Sequence, residues 1–417
     1  MDTNGVVSIE GLFEHLISSL NGSLGSLKID ATRAHLDAIL HNDAKLPEKK
    51  IAAMASEAID LLHQIEQILE PGHLVLADHF LGENLTEAMC LCTAVELNIA
   101  DVLAKGPLDL NSLARASRAR PDRLGQIMRP LYNNGIFSFD TSTEMYANNR
   151  ISTLLRSDNW TQWHNWVDLY GNEFYDIARG IPASVKEDAV RSGAQINFDT
   201  DDNMFTYFQA QGWLPRLHKT LGAGATAMAP GILEDYPWEE VADKTVLDIG
   251  GGGGALIASL LRKHETMRGG VLDLASVIDH ITSFYSPGGQ YADISPRVPV
   301  ENLIPGDFLK SIPSFEVYAM KWVLHDWEDP GALTILQNIR KAILPGPKSR
   351  LVVLESILAD GRVGRLSRYG DINMMMTAKG HERTEVQWRD LAQRAGWRVT
   401  GIFYLRNAWV QAIELKI

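Results

Sequence analysis

Residues 246–256 read Val-Leu-Asp-Ile-Gly-Gly-Gly-Gly-Gly-Ala-Leu, an apolar run of strand type that ends in an acid and five glycines. A helical pattern follows over residues 255–263. Strand, glycine turn and helix in that order form a ligand crevice at the carboxyl edge of an open α/β sheet. Working outward, further strand patterns lie at 270–274, 302–304, 317–320 and 351–355, with helical segments between them. Strands alternating with helices predict a parallel, doubly wound sheet. The end of the chain differs. Residues 398–405 and 409–415 are two strand patterns joined only by Arg406-Asn407-Ala408. So short a link cannot make a parallel crossover, so the pair must be an antiparallel hairpin. The expected fold is α/β: a Rossmann-like sheet of seven strands that closes with a reversed strand.

The glycine run admits three ligands. Gly250, Gly252 and Ala255 satisfy the dinucleotide pattern, and Asp273 stands about 20 residues on, where a ribose-binding acid is expected. Five consecutive glycines satisfy many patterns, however. A phosphate loop fails for want of the terminal Lys-Ser/Thr pair. The third ligand is S-adenosylmethionine, which carries an ammonium, a sulfonium and a ribose but no phosphate. Asp248 inside the motif would repel a pyrophosphate and attract an ammonium. Asp273, after the second strand, can accept from both ribose hydroxyls. Gly306-Asp307-Phe308, after the third, offers an acceptor for the adenine amino group and a ring to pack on the base. Three acids just past consecutive strands define one binding edge.

Upstream, residues 6–70 repeat apolar side chains at helical spacing (Val7, Ile9, Leu12, Phe13, Leu16, Ile17, then Ile51 to Leu69), and Pro71-Gly72 closes that part. Residues 78–156 change character. A helix is expected over 87–103, a short one over 112–116 and a third over 122–134, followed by short strands at 135–138 and 144–147. Three helices and a β-hairpin make a winged helix, whose common partner is DNA. The third helix offers Arg123 and Arg129 but also Leu124, Ile127, Met128, Leu131 and Tyr132, which suits a protein interface better than a groove reader. Residues 157–236 are aromatic and helical, and suggest the wall of an apolar pocket. His164, Trp166 and Phe205 are its candidate substrate residues, with a satisfied core position the competing reading for His164. The resulting division is a helical arm (1–72), a winged-helix domain (73–158), an aromatic connector (159–236) and a cofactor domain (237–417).

Composition narrows the partners. The 417 residues carry a net charge of −13, with 45% hydrophobic and 22% charged residues. Such an acidic chain argues against nucleic acid and anionic membrane surfaces. No apolar run reaches the ~18 residues of a membrane helix. The N-terminus lacks the pattern of a secretory signal. Cys90 and Cys92 diverge at i,i+2, so neither a disulfide nor a thiolate metal cluster is expected, and a cytoplasmic setting follows. No metal site is expected elsewhere: Asp326, Glu328 and Asp329 stand where a helix start would favour acids.

Taken together, VLDIGGGGGA, GGVLDLASVI, PGDF, MKWVLHDWED, VVLES, DINMMM and GHERTEVQWRDLAQRAGW, in this order and spacing, resemble the S-adenosylmethionine-dependent O-methyltransferases of the caffeic-acid/flavonoid and fungal secondary-metabolite type. The resemblance covers roughly residues 75–417. It implies that the winged-helix region dimerises, giving a homodimer. It implies a catalytic base at His325, oriented by acids at Glu355 and Glu382. Cofactor contacts would fall on Asp248, Gly250, Gly252, Asp273, Leu274, Asp307, Phe308 and Lys321, and substrate-wall positions on Asn373 and Met374. Glu316 departs from an Asp usual before the fourth strand, and Gly253 fills a variable position.

A phenol has a pKa near 10, so a base of pKa near 7 on its hydroxyl is useful at neutral pH. Histidine is that base, and a carboxylate on its other ring nitrogen, from Glu355 or Glu382, would fix its tautomer. Two functions compete. One is O-methylation of a small aromatic or polyketide-type hydroxyl compound. The other is a pericyclase or cyclase on the same fold, using the sulfonium only electrostatically. The retained histidine and glutamates favour the first, since a pericyclic step needs no such base.

Overall fold

The computed structural model describes residues 8–42, 45–81 and 86–417. Val7 of the apolar repeat lies outside them. The chain divides into two units, residues 1–61 and 62–417. The first holds the helices Ile9–Lys28 and Asp30–Leu40 and the start of the helix Lys49–Leu69. Its apolar stripe forms helices as the spacing predicts, yet none of these helices has a buried residue. No helix among the described residues is long and apolar enough to cross a membrane.

The second unit opens with the end of the helix Lys49–Leu69 and the helix Gly72–Leu81, and continues with helices Thr86–Glu96, Leu110–Ser117 and Pro121–Asn133 and the antiparallel pair β1 (Phe137–Asp140) and β2 (Met145–Asn148). The helix expected over 87–103 is broken. It stops at Glu96, Asn98 turns left-handed at φ +53°, and Ile99–Val102 makes a separate turn. Asparagine tolerates that conformation, and an apolar repeat running through the break conceals it. One further reading needs correcting. Leu124, Met128 and Leu131 are buried core, so they say nothing about an exposed face. The outer face of that helix carries Arg123, Gln126 and Arg129. The case against DNA therefore rests on the net charge.

The large sheet has seven strands: β3 (Thr245–Ile249), β4 (Arg268–Asp273), β5 (Leu303–Pro305), β6 (Val317–Lys321), β7 (Arg350–Glu355), β8 (Arg398–Tyr404) and β9 (Gln411–Lys416). Their order is β5-β4-β3-β6-β7-β9-β8. All pairs are parallel except those of β9, which runs antiparallel to both β7 and β8, as the short 406–408 link requires. Alternate residues feed two cores. Val246, Val271, Val317, Ala319, Val352 and Leu354 pack on one face, and Leu247, Ile249, Leu272, Tyr318, Met320 and Val353 on the other. Strands buried on both faces read as the continuous apolar runs seen in the sequence. The chain leaves β3 toward β4 on one side and later returns to β6 on the other. That switch point opens the crevice above the strand ends.

Candidate active site

The glycine run turns between β3 and the helix Ala255–Lys263. Gly250 and Gly252 have φ of +69° and +52°, conformations that a side chain would strain. A Cβ on Gly250 would also come within 2.9 Å of Val323. Gly253 faces open space, in keeping with its variable position.

Three acids stand along the strand ends. Asp248 is buried, and no hydrogen bond to its carboxyl is found among the described residues. Burial pushes it up to about 7, against the pull of Lys321. Asp273 accepts from the backbone N–H of Gly252 at 2.9 Å and of Leu274 at 2.7 Å, and burial raises it. Asp307 accepts from the Leu309 N–H at 3.0 Å and pairs with Lys310 at 3.1 Å, which holds it below its usual range. The Phe308 ring lies 3.7 Å from where a Gly250 Cβ would stand and meets Trp327 edge-on at 6.0 Å. Leu274 is exposed at the same edge. Lys321, at the end of β6, is lowered by burial to about 8 and sits 3.8 Å over the Trp322 ring. A buried, undonated carboxyl beside glycine backbone fits an ammonium, and an acid after β4 fits a diol. Three acids in a row do not fit a pyrophosphate.

Past β6, a 3₁₀ turn Leu324–Asp326 carries His325. Its Nδ1 lies 2.9 Å from Glu382 Oε1 and 3.4 Å from Glu355 Oε2. Sequence left open which glutamate serves. The geometry divides the work. Glu382 takes the ring hydrogen bond, while Glu355, 0% exposed at the end of β7, accepts from the N–H groups of Val323 and Leu324 at 2.9 Å each. A carboxylate on Nδ1 makes that nitrogen the donor and leaves Nε2 for a substrate. Burial alone would depress His325, but Glu355, Glu382 and Asp326 outweigh it and raise it to about 10. Asp326, unassigned from sequence beyond a helix-start role, lies 3.8 Å from Nε2 and is pushed by burial up to about 6. His325, Glu355 and Glu382 are also the group among the described residues whose side chains could converge on a metal ion. The 2.9 Å contact is a hydrogen bond that already occupies Nδ1, so acid–base work suits them better.

The aromatic residues of the connector fall into two groups joined through Phe174, which stacks on Tyr170 at 4.7 Å and meets Phe208 edge-on at 6.3 Å. Trp163, Trp166, Trp322 and Trp409 form one, with Trp166 edge-on to Trp322 (6.0 Å) and Trp409 (5.7 Å). Tyr170 continues it, stacked on Trp166 at 5.4 Å, and its hydroxyl accepts from Asn373 Nδ2 at 2.5 Å. Trp322 directly follows Lys321, three residues before His325, so this cluster adjoins the base. Met374 is half-buried beside Asn373 in the helix Arg365–Thr377. Phe198, Tyr207, Phe208 and Trp213 form the other cluster, the core of the connector. Phe205 is 40% exposed and makes no ring contact among the described residues, and neither does His164. The buried Nδ1 of His164 has no hydrogen-bond partner among the described residues, and burial lowers that ring. Sequence reasoning missed Trp322 and Trp409. Trp322 was visible inside MKWVLHDW, but its φ of +56° was not.

An α/β sheet with one reversed strand, acids at consecutive strand ends and a buried His–Glu pair define the class: a methyltransferase with the S-adenosylmethionine fold. The comparisons place it further. Residues 220–398 match the family model of the O-methyltransferase domain, and residues 81–158 that of the O-methyltransferase dimerisation domain. O-methyltransferase aclM of Aspergillus oryzae is 58% identical over 413 residues, covering 98% of this chain and 95% of that protein. O-methyltransferase verK of Clonostachys rogersoniana is 48% identical, covering 90% and 92%. Among solved structures, CalO1, a methyltransferase in calicheamicin biosynthesis in its SAH-bound form, shares the fold. It has a TM-score of 0.71 and 22% identity, over 83% of this chain and 99% of that one. The chain belongs to this O-methyltransferase family and is an S-adenosylmethionine-dependent O-methyltransferase.

Proposed function

We propose that His325 is the general base that takes the proton from the hydroxyl of a small aromatic or polyketide-type secondary metabolite. The observation that carries this reading is the His325 Nδ1–Glu382 contact at 2.9 Å, which directs the free Nε2 toward an acceptor. S-adenosylmethionine, when bound, supplies an electrophilic methyl group. Everything else is the work of the chain. His325 Nε2 accepts the hydroxyl proton, and the imidazolium so formed is held between Glu382 and Glu355. The tryptophans exclude water and orient a flat substrate. Asp248, Gly250, Gly252, Asp273, Leu274, Asp307, Phe308 and Lys321 hold the donor. Trp166, Asn373 and Met374 form the substrate wall, to which we add Trp322, Trp409 and Tyr170. The fungal relatives are O-methyltransferases, and NcsB1, an O-methyltransferase from neocarzinostatin biosynthesis, forms a complex with 1,4-dihydroxy-2-naphthoic acid, which supports a phenolic acceptor. A cyclase would leave the His–Glu pair without a task.

The division at residues 72, 158 and 236 stands as our domain scheme, and the dimerisation domain supports a homodimer. Two free, buried cysteines suit a reducing, cytoplasmic setting. The test of function is labelled methyl transfer from S-adenosylmethionine to a panel of phenols that includes 1,4-dihydroxy-2-naphthoic acid. His325→Ala should lose turnover while keeping the affinity for S-adenosylhomocysteine. Loss of that affinity would make His325 structural, and retained turnover would remove it as the base.

A further inference from the structure

The turn that carries His325 is weakly held by its own backbone. Its two internal hydrogen bonds, Asp326 N–H to Val323 and Trp327 N–H to Leu324, are both 3.3 Å long. Glu355 holds the two N–H groups at its start, and the rest of the restraint comes from four consecutive residues far along the chain, 380–383. Gly380 packs so closely that a Cβ there would stand 1.9 Å from the His325 carbonyl oxygen. The His381 N–H donates to that same carbonyl at 2.9 Å. Glu382 takes the ring nitrogen.

Arg383, 1% exposed, completes the set. Its Nη1 donates to the Leu324 carbonyl at 3.1 Å and its Nη2 to the Trp327 carbonyl at 2.9 Å, so one guanidinium grips the turn on both sides of His325. Nε and Nη2 also donate to Asp329 Oδ1 at 3.2 and 3.0 Å, which orients the fork. The Trp388 ring lies 5.5 Å away, and the Arg383 carbonyl accepts from Leu358 N–H at 3.0 Å, anchoring the residue to the segment after β7.

We propose that Arg383 is the positioning residue for the base: its planar fork ties the carbonyls flanking His325 to the segment that carries Glu382, and so holds the imidazole in register with its glutamate. A rigid five-donor fork can do this, whereas the single point charge of a lysine reaches one acceptor well. The acids facing His325 are Glu355, Glu382 and Asp326, with Asp371 behind Glu382. If the turn drifts, the ring moves away from Glu355 and Glu382, which lie on other segments. This inference rests on the reading of His325 as base, but its first test does not require a substrate.

The experiment is an NMR titration of ¹³C-histidine-labelled full-length protein with S-adenosylhomocysteine bound, the His325 signal being assigned by its loss in His325→Ala. In the wild type His325 should titrate well above 6.5. In Arg383→Met it should fall toward 6.5 by at least about one unit, a tenfold change in the protonation ratio. S-adenosylhomocysteine affinity should stay within about twofold. With an acceptor from the phenol panel, kcat should drop roughly a hundredfold, the cost of a displacement of about 1 Å. Arg383→Lys should recover only part of each loss. If Arg383→Met does not fold, Arg383→Lys and Asp329→Asn carry the same measurement with smaller shifts in the same direction. A folded Arg383 variant whose His325 titrates as in the wild type overturns the proposal. If that result accompanies an inactive His325→Ala, positioning by Arg383 fails and the base stands. If His325→Ala is active while Arg383→Met shifts the titration, the base reading fails and the positioning stands.

Discussion

The donor side and the acceptor side of this site are built in opposite ways. Asp248, Asp273 and Asp307 each stand at or just past the carboxyl end of a strand, and the parallel order β5-β4-β3 places them side by side. The acceptor wall has no such rule. Trp163 and Trp166 come from the connector, Trp322 from the turn after β6, Trp409 from the turn between β8 and β9, and Asn373 from a helix after β7. A cofactor edge is set by topology, and a substrate wall by tertiary packing. The two should therefore fail separately when residues are changed.

The largest separation should come from His325→Ala. It should cost about 10²- to 10⁴-fold in turnover, the usual worth of a general base, with unchanged affinity for the donor by calorimetry. Asp273→Ala should do the reverse. Removing charge-assisted hydrogen bonds worth roughly 1.5–3 kcal/mol each should weaken S-adenosylhomocysteine binding tenfold or more, with the acceptor KM little changed. Gly224→Ala probes the wall from behind, because its Cβ would lie 2.6 Å from the Trp166 ring and 3.0 Å from that of Trp322. Overpacking of this kind costs about 1–3 kcal/mol, so the acceptor KM should rise and the melting temperature fall while donor affinity holds. The smallest effect belongs to Tyr170→Phe. Losing the acceptor of the Asn373 amide should raise the acceptor KM a few-fold, in line with a hydrogen bond worth about 1 kcal/mol. Equal loss of donor and acceptor affinity in any of these variants would mean that the two sides are not separable.

The same contrast governs what the sequence could reveal. The helix Ala255–Lys263 and the strands of the sheet were legible because periodicity and glycine placement are local signals. So was the closing hairpin, from the length of one link. The break at Asn98 was hidden, since nothing in an apolar repeat marks a left-handed residue. The connector's aromatic density was visible, but its division into a wall and the core that continues it was not. Both draw on the same aromatic-rich stretch, and only the wall's partners, Trp322 and Trp409, lie on distant segments. In the helices of residues 8–61 the apolar stripe was equally clear, yet it marks no buried core. Arg383 stood in plain view in GHERT. Its grip on Leu324 and Trp327 is a tertiary fact.

The central claim is that a glutamate-held imidazole takes the substrate proton. The base must be unprotonated, and its carboxylate neighbours raise His325 above 6.5, so kcat/KM should climb with pH through an acid limb above 6.5. Glu382→Gln removes one negative charge at 2.9 Å. That should lower the histidine and move the limb to lower pH, with a smaller plateau. The direct measurement is the pH dependence of kcat/KM for the wild type and Glu382→Gln with one phenolic acceptor. A limb above 6.5 that moves down in the variant is the predicted result. A flat wild-type profile, or a limb unmoved by Glu382→Gln, would contradict the account.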